Sequence, residues 1–292
     1  MRAGLIALTA LAAALAATAT ATGTTARTAA PSASCVKASL TLVKPGTLTI
    51  GTDNPAYPPW YGGGTTKGSK WQLNDPSNGK GFEPAVAYAV ASKLGFTKSE
   101  VNWVYVPFNN SFAPGKKKFD FDINQISYTA ARAKVVTFSS SYYDVDQALV
   151  VLKGTPISHV RSLAGLRGFK LAAELGTTSY YDILGAIKPT KQPSVFDTDA
   201  AAVQALKNKQ IDGLVVDLPT AFYISGAEVP NSTVSGQFPP PRGGEHFGMV
   251  FQKGNPLASC VDGALKTLKA NGTLAKIKST WLSKATGAPV LK

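Results

Sequence analysis

The chain has 292 residues, 44% hydrophobic and 16% charged, with a formal net charge of +13. This is a globular balance, long enough for two packed cores, and two cysteines exclude a cysteine-rich metal site. The charge alone would admit nucleic acid or an anionic polymer. The lysines are scattered, however, and the one run, "GKKK" at Gly115–Lys118, reads as a solvated turn with no nucleic-acid motif beside it. No nucleic-acid partner is expected.

The first residues, "MRAGLIALTALAAALAATATATG", place one Arg before an apolar stretch from Ala3 to Ala17, followed by small residues that fit an A-x-A cleavage site. Residues 1–21 therefore read as a secretory signal peptide. The apolar run is shorter than the ~20 residues that a spanning helix needs, and the mature protein is expected outside the cytoplasm. Residues 22–46, rich in Thr, Ala, Ser and Pro, read as a flexible lead-in. Cys35 and Cys260 form an even pair in an exported chain, and a disulfide between them is expected.

"LTIGTD" (Leu48–Asp53) reads as a strand ending in polar residues, followed by a long Gly/Pro/Asn loop. Pro84–Gly95 is a helix with Pro in its first turn and Gly past its end. Val101–Phe108 is a strand, and "KKFDFDINQIS" is another that turns polar. Its Asp120 and Asp122 share one face and read as solvent-facing. Gln147–Leu152 is an apolar strand that crosses between two units. A second series follows: strand Phe169–Leu175, a helix opening at Gly-Thr-Thr-Ser, strand "SVFDT", helix Asp199–Gln210, then strand "IDGLVVD" and a further helix. "HFGMVFQ" crosses back, and two helices close the chain.

Strands alternating with helices imply α/β sheets with parallel strands. In such sheets ligands sit beyond the carboxyl ends of the strands. Those ends hold Asp53, Gln125, Ser127, Gly176–Ser179 and Asp217. Thr129 occupies an N-cap position, and three residues on, where a capping box has an acid, stands Arg132. A guanidinium there suits a planar carboxylate, with hydroxyls from Ser127 and Thr129 and, from another helix start, Thr177 and Thr178. Asp217 is an N-cap or an acceptor for an ammonium group. Together Arg132 and Asp217 suit a zwitterion. Tyr57, Trp60 and Phe108 lie on loops beside the strand ends, as walls for an aliphatic stem or as ordinary packing. His159 and His246 sit in no metal or triad spacing, and no hydrolase motif occurs. No enzyme activity, metal or cofactor is expected.

"LTIGTDNPAYPPW", "GFEPAVAYAVASKLGF", "VPFNNSF", "FDFDINQISYTAARAKVVTFSSSYY", "SLAGLRGFKLAAELGTTSYY" and "AVQALKNKQIDGLVVDLPTAFY" occur in that order. Together they resemble the amino-acid-binding solute receptors of ABC importers, the bacterial extracellular solute-binding protein family 3. The resemblance runs from Leu48 to Leu282. It implies a two-lobed, periplasmic-binding-protein-like (type II) α/β fold, each lobe a mixed sheet flanked by helices, joined by two hinge strands. Residues 47–146 with 252–292 would form one lobe and residues 147–251 the other. The family pattern S-x-T-x-x-R falls on Ser127, Thr129 and Arg132. It implies Arg132 as carboxylate clamp, Thr178 with Thr177 as its partner from the other lobe, and Asp217 as ammonium acceptor. Asp53 matches the first-strand aspartate, Tyr57 or Trp60 and Phe108 the aromatic pair, and Gln125 a strand-end contact. Glu83 stands where the family usually has Asp. The expected function is capture of a free L-amino acid with a polar or basic side chain, such as glutamine, arginine, lysine or histidine. A cell-envelope-associated monomer would deliver it to a membrane permease. The alternatives are a cleft enzyme of the cyclic-acid dehydratase kind or a ligand-sensing module.

Overall fold

The computed structural model describes Met1, residues 35–283 and residues 287–292. The expected signal peptide, apart from Met1, and the lead-in up to residue 34 lie outside the described residues. No helix among the described residues is long and apolar enough to cross a membrane.

The first half contains β1 (Leu48–Thr52), α1 (Phe82–Lys93), β2 (Val101–Tyr105), α2 (Phe108–Ser111), β3 (Phe121–Asp122), α3 (Ala130–Val135) and β4 (Val136–Phe138). Then come β5 (Tyr143–Val145), β6 (Gln147–Leu152), β7 (Leu171–Glu174), α4 (Thr178–Asp182), β8 (Ser194–Phe196) and α5 (Asp199–Lys207). The chain ends with β9 (Gly213–Asp217), α6 (Leu218–Tyr223), β10 (Ser232–Gln237), β11 (Glu245–Phe247), β12 (Val250–Gln252), α7 (Leu257–Ala270) and α8 (Thr273–Leu282).

Two five-stranded mixed sheets result, in the orders β2-β1-β3-β12-β4 and β10-β6-β9-β7-β8. The pairs β1–β2, β1–β3, β7–β8 and β7–β9 are parallel, as strand–helix–strand connections require. β12 runs antiparallel to β3 and β4, and β6 antiparallel to β9 and β10. β5 carries the chain from the first sheet to the second and β11 carries it back. The two pair with each other as an antiparallel ribbon.

β1 and β6 are buried along their whole length, and helices cover both sheets. α1, α7 and α8 pack on the first sheet around Phe82, Val86, Val261 and Leu265. α5 and α6 pack on the second around Val203, Leu206 and Ala221. The expected disulfide is present, with Cys35 and Cys260 Cα atoms 5.4 Å apart. Residues 35–43 of the lead-in are tied down further: Lys37 Nζ donates to Glu100 Oε1 at 2.6 Å and the Val43 N–H to Asp120 Oδ1 at 2.7 Å.

Two expectations need correction. Asp120 and Asp122 do not face solvent: they are 1% and 0% exposed. Asp120 accepts from the Val43 and Thr49 N–H groups and so fastens the lead-in to β1. Lys117 of the "GKKK" run is buried, its Nζ donating to the Asn110 and Ala113 carbonyls. Residues 287–292 lie along β10: the Gln237 N–H bonds to the Pro289 carbonyl at 2.9 Å, and the Leu291 N–H to the Gln237 carbonyl at 2.9 Å.

Gly236 makes that approach possible, because a Cβ there would lie 2.7 Å from the Pro289 carbonyl oxygen and 2.8 Å from Leu291 Cδ2. Gly236→Ala should therefore cost about 1–3 kcal/mol, the usual cost of overpacking, read as a lower thermal midpoint by calorimetry. An unchanged midpoint would show that the tail does not hold to β10.

Candidate functional site

The carboxyl ends of the strands face one another across a cavity of ≈ 50 Å³. On the first-sheet side it is lined by Asp53 just past β1, Tyr57, Phe108, and Asn124 and Gln125 just past β3. On the second-sheet side stand Glu174 at the end of β7, Thr177–Ser179 at the start of α4, Asp199 at the start of α5, and Asp217 at the end of β9. Room for one water takes about 10–15 Å³ on this measure, so the two sides are nearly shut upon each other.

Hydrogen bonds cross from one side to the other. The Arg132 guanidinium sends Nη1 to the Ser127 carbonyl at 2.7 Å and Nη2 to the Gly176 carbonyl at 2.9 Å. Asn109 Nδ2 donates to the Leu175 carbonyl at 3.1 Å, and the Ser127 and Thr178 hydroxyls meet at 3.3 Å. Trp60 Nε1 donates to Thr220 Oγ1 at 2.8 Å, and the Tyr57 hydroxyl to Glu228. Gly176 has φ +83°, a left-handed turn that directs its carbonyl to Arg132.

Arg132 lies at the start of α3, where Thr129 Oγ1 accepts from the Arg132 N–H at 3.1 Å as the sequence predicts. Its guanidinium lies 4.1 Å from the Phe112 ring centre and 5.5 Å from that of Phe108. Burial pulls its pKa down to about 10, against the opposing charge of Glu245. It is 8% exposed and stands behind the cavity wall, not in the lining. Two of its five N–H donors are taken by carbonyls.

Asp217 precedes α6 but makes no side-chain cap. Its Oδ1 instead accepts from Gln147 Nε2 at 2.7 Å. Burial, then the charge of Glu245, push its pKa well up. Thr177 caps α4 by accepting from the Tyr180 N–H. Tyr57 lines the cavity and packs edge-on against Tyr223. Trp60 does not line it: it is fully buried among Phe82, Tyr143 and Phe247. Gln125 sits at φ +49°, a strained position for a residue with a side chain. Glu83 holds it there, accepting from its backbone N–H at 2.7 Å and from its side-chain amide.

Sequence reading missed four residues. Glu245, on the returning strand, accepts from the Ser127 hydroxyl at 2.5 Å and from Gln147 Nε2 at 3.3 Å. Asn124 is 6% exposed and its Nδ2 has no partner among the described residues. Glu174 Oε2 accepts from the Asp199 N–H at 2.9 Å. Burial, then the charge of Asp199 and of Asp53, push the Glu174 carboxyl up, and burial, then Asp53 and Glu228, do the same to Asp199. An acid at a strand end and an acid in a first helical turn were the available signals.

A sequence profile of the bacterial extracellular solute-binding proteins, family 3, matches residues 48–284. The chain belongs to this family. It is 29% identical over 215 residues to the ABC transporter glutamine-binding protein GlnH of Bacillus subtilis (strain 168), covering 72% of this chain and 76% of that protein. It is 26% identical over 249 residues to the L-cystine-binding protein TcyJ of Escherichia coli (strain K12), covering 85% of each. Among solved structures it resembles an ancestral arginine-binding protein bound to arginine, with TM-score 0.66 and 30% identity over 81% of this chain and 98% of that one. The family and these relatives are binding proteins, not enzymes, GlnH that of an ABC transporter, and the fold is the type II two-lobed one.

The raised carboxyls fix a pH dependence. In the unfolded chain Asp and Glu titrate near ~3.9 and ~4.3, while folded Glu174, Asp199 and Asp217 keep their protons to higher pH. At these groups the folded state then binds more protons, so their contribution to stability is full below about pH 4 and is lost as pH rises through the folded values. Asp199→Asn should flatten the decline of the thermal midpoint in that window. Parallel curves for variant and wild type would show that the Asp199 carboxyl does not keep its proton.

Proposed function

We propose that this chain captures a free L-amino acid with a polar or basic side chain outside the cytoplasm and delivers it to the membrane permease of an ABC importer. What supports this reading is the nearly shut cavity at the strand ends, lined by Asp53, Tyr57 and Phe108 from the first-sheet side and Asp217 from the second, with Arg132 behind its wall and bonded across to Gly176. Asp217 accepts the ligand's α-ammonium. The α-carboxylate meets the Thr178 hydroxyl and the N–H groups opening α4, with the Arg132 guanidinium and Ser127 behind them at the wall. Tyr57 and Phe108 wall the side chain, whose polar end reaches Asp53 and Gln125. Thr177 shapes the helix start as its N-cap, and Trp60 stiffens the wall from behind.

The moving bodies are residues 47–146 with 252–283 and residues 147–251 with the tail, turning about the β5–β11 ribbon. A ligand favours the closed arrangement only by binding it better than the open one, and anchors drawn from both bodies give it that preference. The protein acts as a monomer at the cell envelope, without nucleic acid.

A thermal-shift screen against the twenty amino acids tests this. A ligand at 100 times its Kd adds about 2.7 kcal/mol, which in a chain of this size raises the midpoint by roughly 5–10 °C. Asp217→Asn should weaken the best ligand by roughly 100-fold or more in calorimetry, since it strands a buried ammonium. A screen in which no amino acid raises the midpoint would overturn the reading.

A further inference from the structure

The cavity holds more acid than a zwitterion needs. Asp217 suffices for an α-ammonium, yet Asp53, Glu174 and Asp199 line the same space. The charge of Asp53 acts on both Glu174 and Asp199, so the three share one locality. No lysine, arginine or histidine lines it. The ion pairs among the described residues are Lys37–Glu100 and Lys207–Glu228, and neither involves the three. Lys207 and the Tyr57 hydroxyl satisfy the neighbouring Glu228, which leaves it outside this group.

Their protein partners are few. Asp53 Oδ1 accepts from the Asn54 N–H at 2.7 Å, and Phe108 gives it a second backbone N–H. Glu174 has the Asp199 N–H on one oxygen. The Asp199 carboxyl accepts no hydrogen bond from the described residues. Asn124, 94% buried by its 6% exposure, lines the same cavity with an unpartnered amide. A buried polar group such as the Asn124 Nδ2 is almost always satisfied by something, and grouped, half-buried carboxyls are offset by a cation or by protons. Here no side chain supplies the cation.

We propose that the cavity selects a ligand whose side chain ends in a cation, an ammonium or a guanidinium, and that Glu174 and Asp199 set this selection together with Asp53. The inference rests on the amino-acid reading above and narrows it. A neutral side chain of the same shape enters the site but leaves the carboxyls unmatched, and a site built to pair with a group rejects the analogue that lacks it by large factors. Because two of the three carboxyls come from the second sheet, the side-chain cation is gripped from both sides, as the α-carbon groups are.

Calorimetry on the wild-type protein with arginine and with citrulline, which keeps the length and planarity but carries no charge, reads the selection without any variant. Arginine should bind at least about 100-fold more tightly. In Glu174→Gln and in Asp199→Asn the arginine-to-citrulline ratio should fall at least about tenfold towards unity, one lost charge contact each. Equal affinities in the wild-type protein, or a ratio unmoved by both variants while each still binds an amino acid, would overturn the inference and leave the amino-acid reading standing. Absence of binding by every amino acid would overturn both.

Discussion

A guanidinium held away from water must have its charge met by whatever surrounds it. Arg132 is met by carbonyl dipoles from both sheets, by the charge of Glu245, and by the faces of Phe112 and Phe108. One of those carbonyls belongs to Gly176, so a cation rooted at α3 fixes where the loop after β7 can stand. That loop leads straight into α4, whose first turn carries Thr178 and Ser179, and it follows directly on Glu174. The Asn109 bond to the Leu175 carbonyl and the Ser127–Thr178 contact hold the same loop, so the second-sheet groups at the cavity keep their register against Asp53 and Gln125 through several contacts of which Arg132 is one.

A second constraint works from beneath. Glu83 is fully buried in α1, against an otherwise apolar core, and its carboxyl takes the Gln125 backbone, the Gln125 amide and the Tyr142 hydroxyl. Tyr61 extends the network to the Ile123 carbonyl and to Thr52 at the end of β1. The floor of the cavity, from the end of β1 to just past β3, is therefore one hydrogen-bonded piece. Such networks rigidify when fully satisfied, and rigidity here holds Gln125 in a backbone conformation it would not adopt alone.

Much of the scaffold was legible because its signals are local. Gln147–Leu152 reads as a strand from its unbroken apolar run, and forms one with those bounds. Asp199 and Thr177 announce helix starts in the residues beside them. The resemblance in ordered blocks named the family, and the family fixed the fold. Depth was not legible. Asp120 looked solvent-facing because nothing near it in sequence offers a donor; its donors, Val43 and Thr49, lie 77 and 71 residues away. Lys117 looked solvated for a different reason: its acceptors, the Asn110 and Ala113 carbonyls, are close in sequence, but a run of lysines does not tell which one the turn folds over. Glu174 is a single acid closing an apolar strand, and only tertiary folding brings Asp199 and Asp53 against it. The donors of Arg132 were likewise assigned to an anion from sequence, with no means of seeing that two of them reach carbonyls, one at Ser127 beside it and one at Gly176 across the gap.

The tail along β10 bears on how such a molecule can flex. Two ribbon strands allow a bend like that of a book at its spine. Residues 287–292 are fastened at Gln237, whose side chain also reaches Asp146 just past β5 at 3.2 Å, and again where the Leu163 N–H meets the Lys292 carbonyl at 2.8 Å and the Lys292 N–H meets the Arg161 carbonyl. On the two-lobed reading proposed above, a bend at the ribbon leaves residues 287–292 riding with the second sheet, where they cover the edge strand β10 that would otherwise be bare.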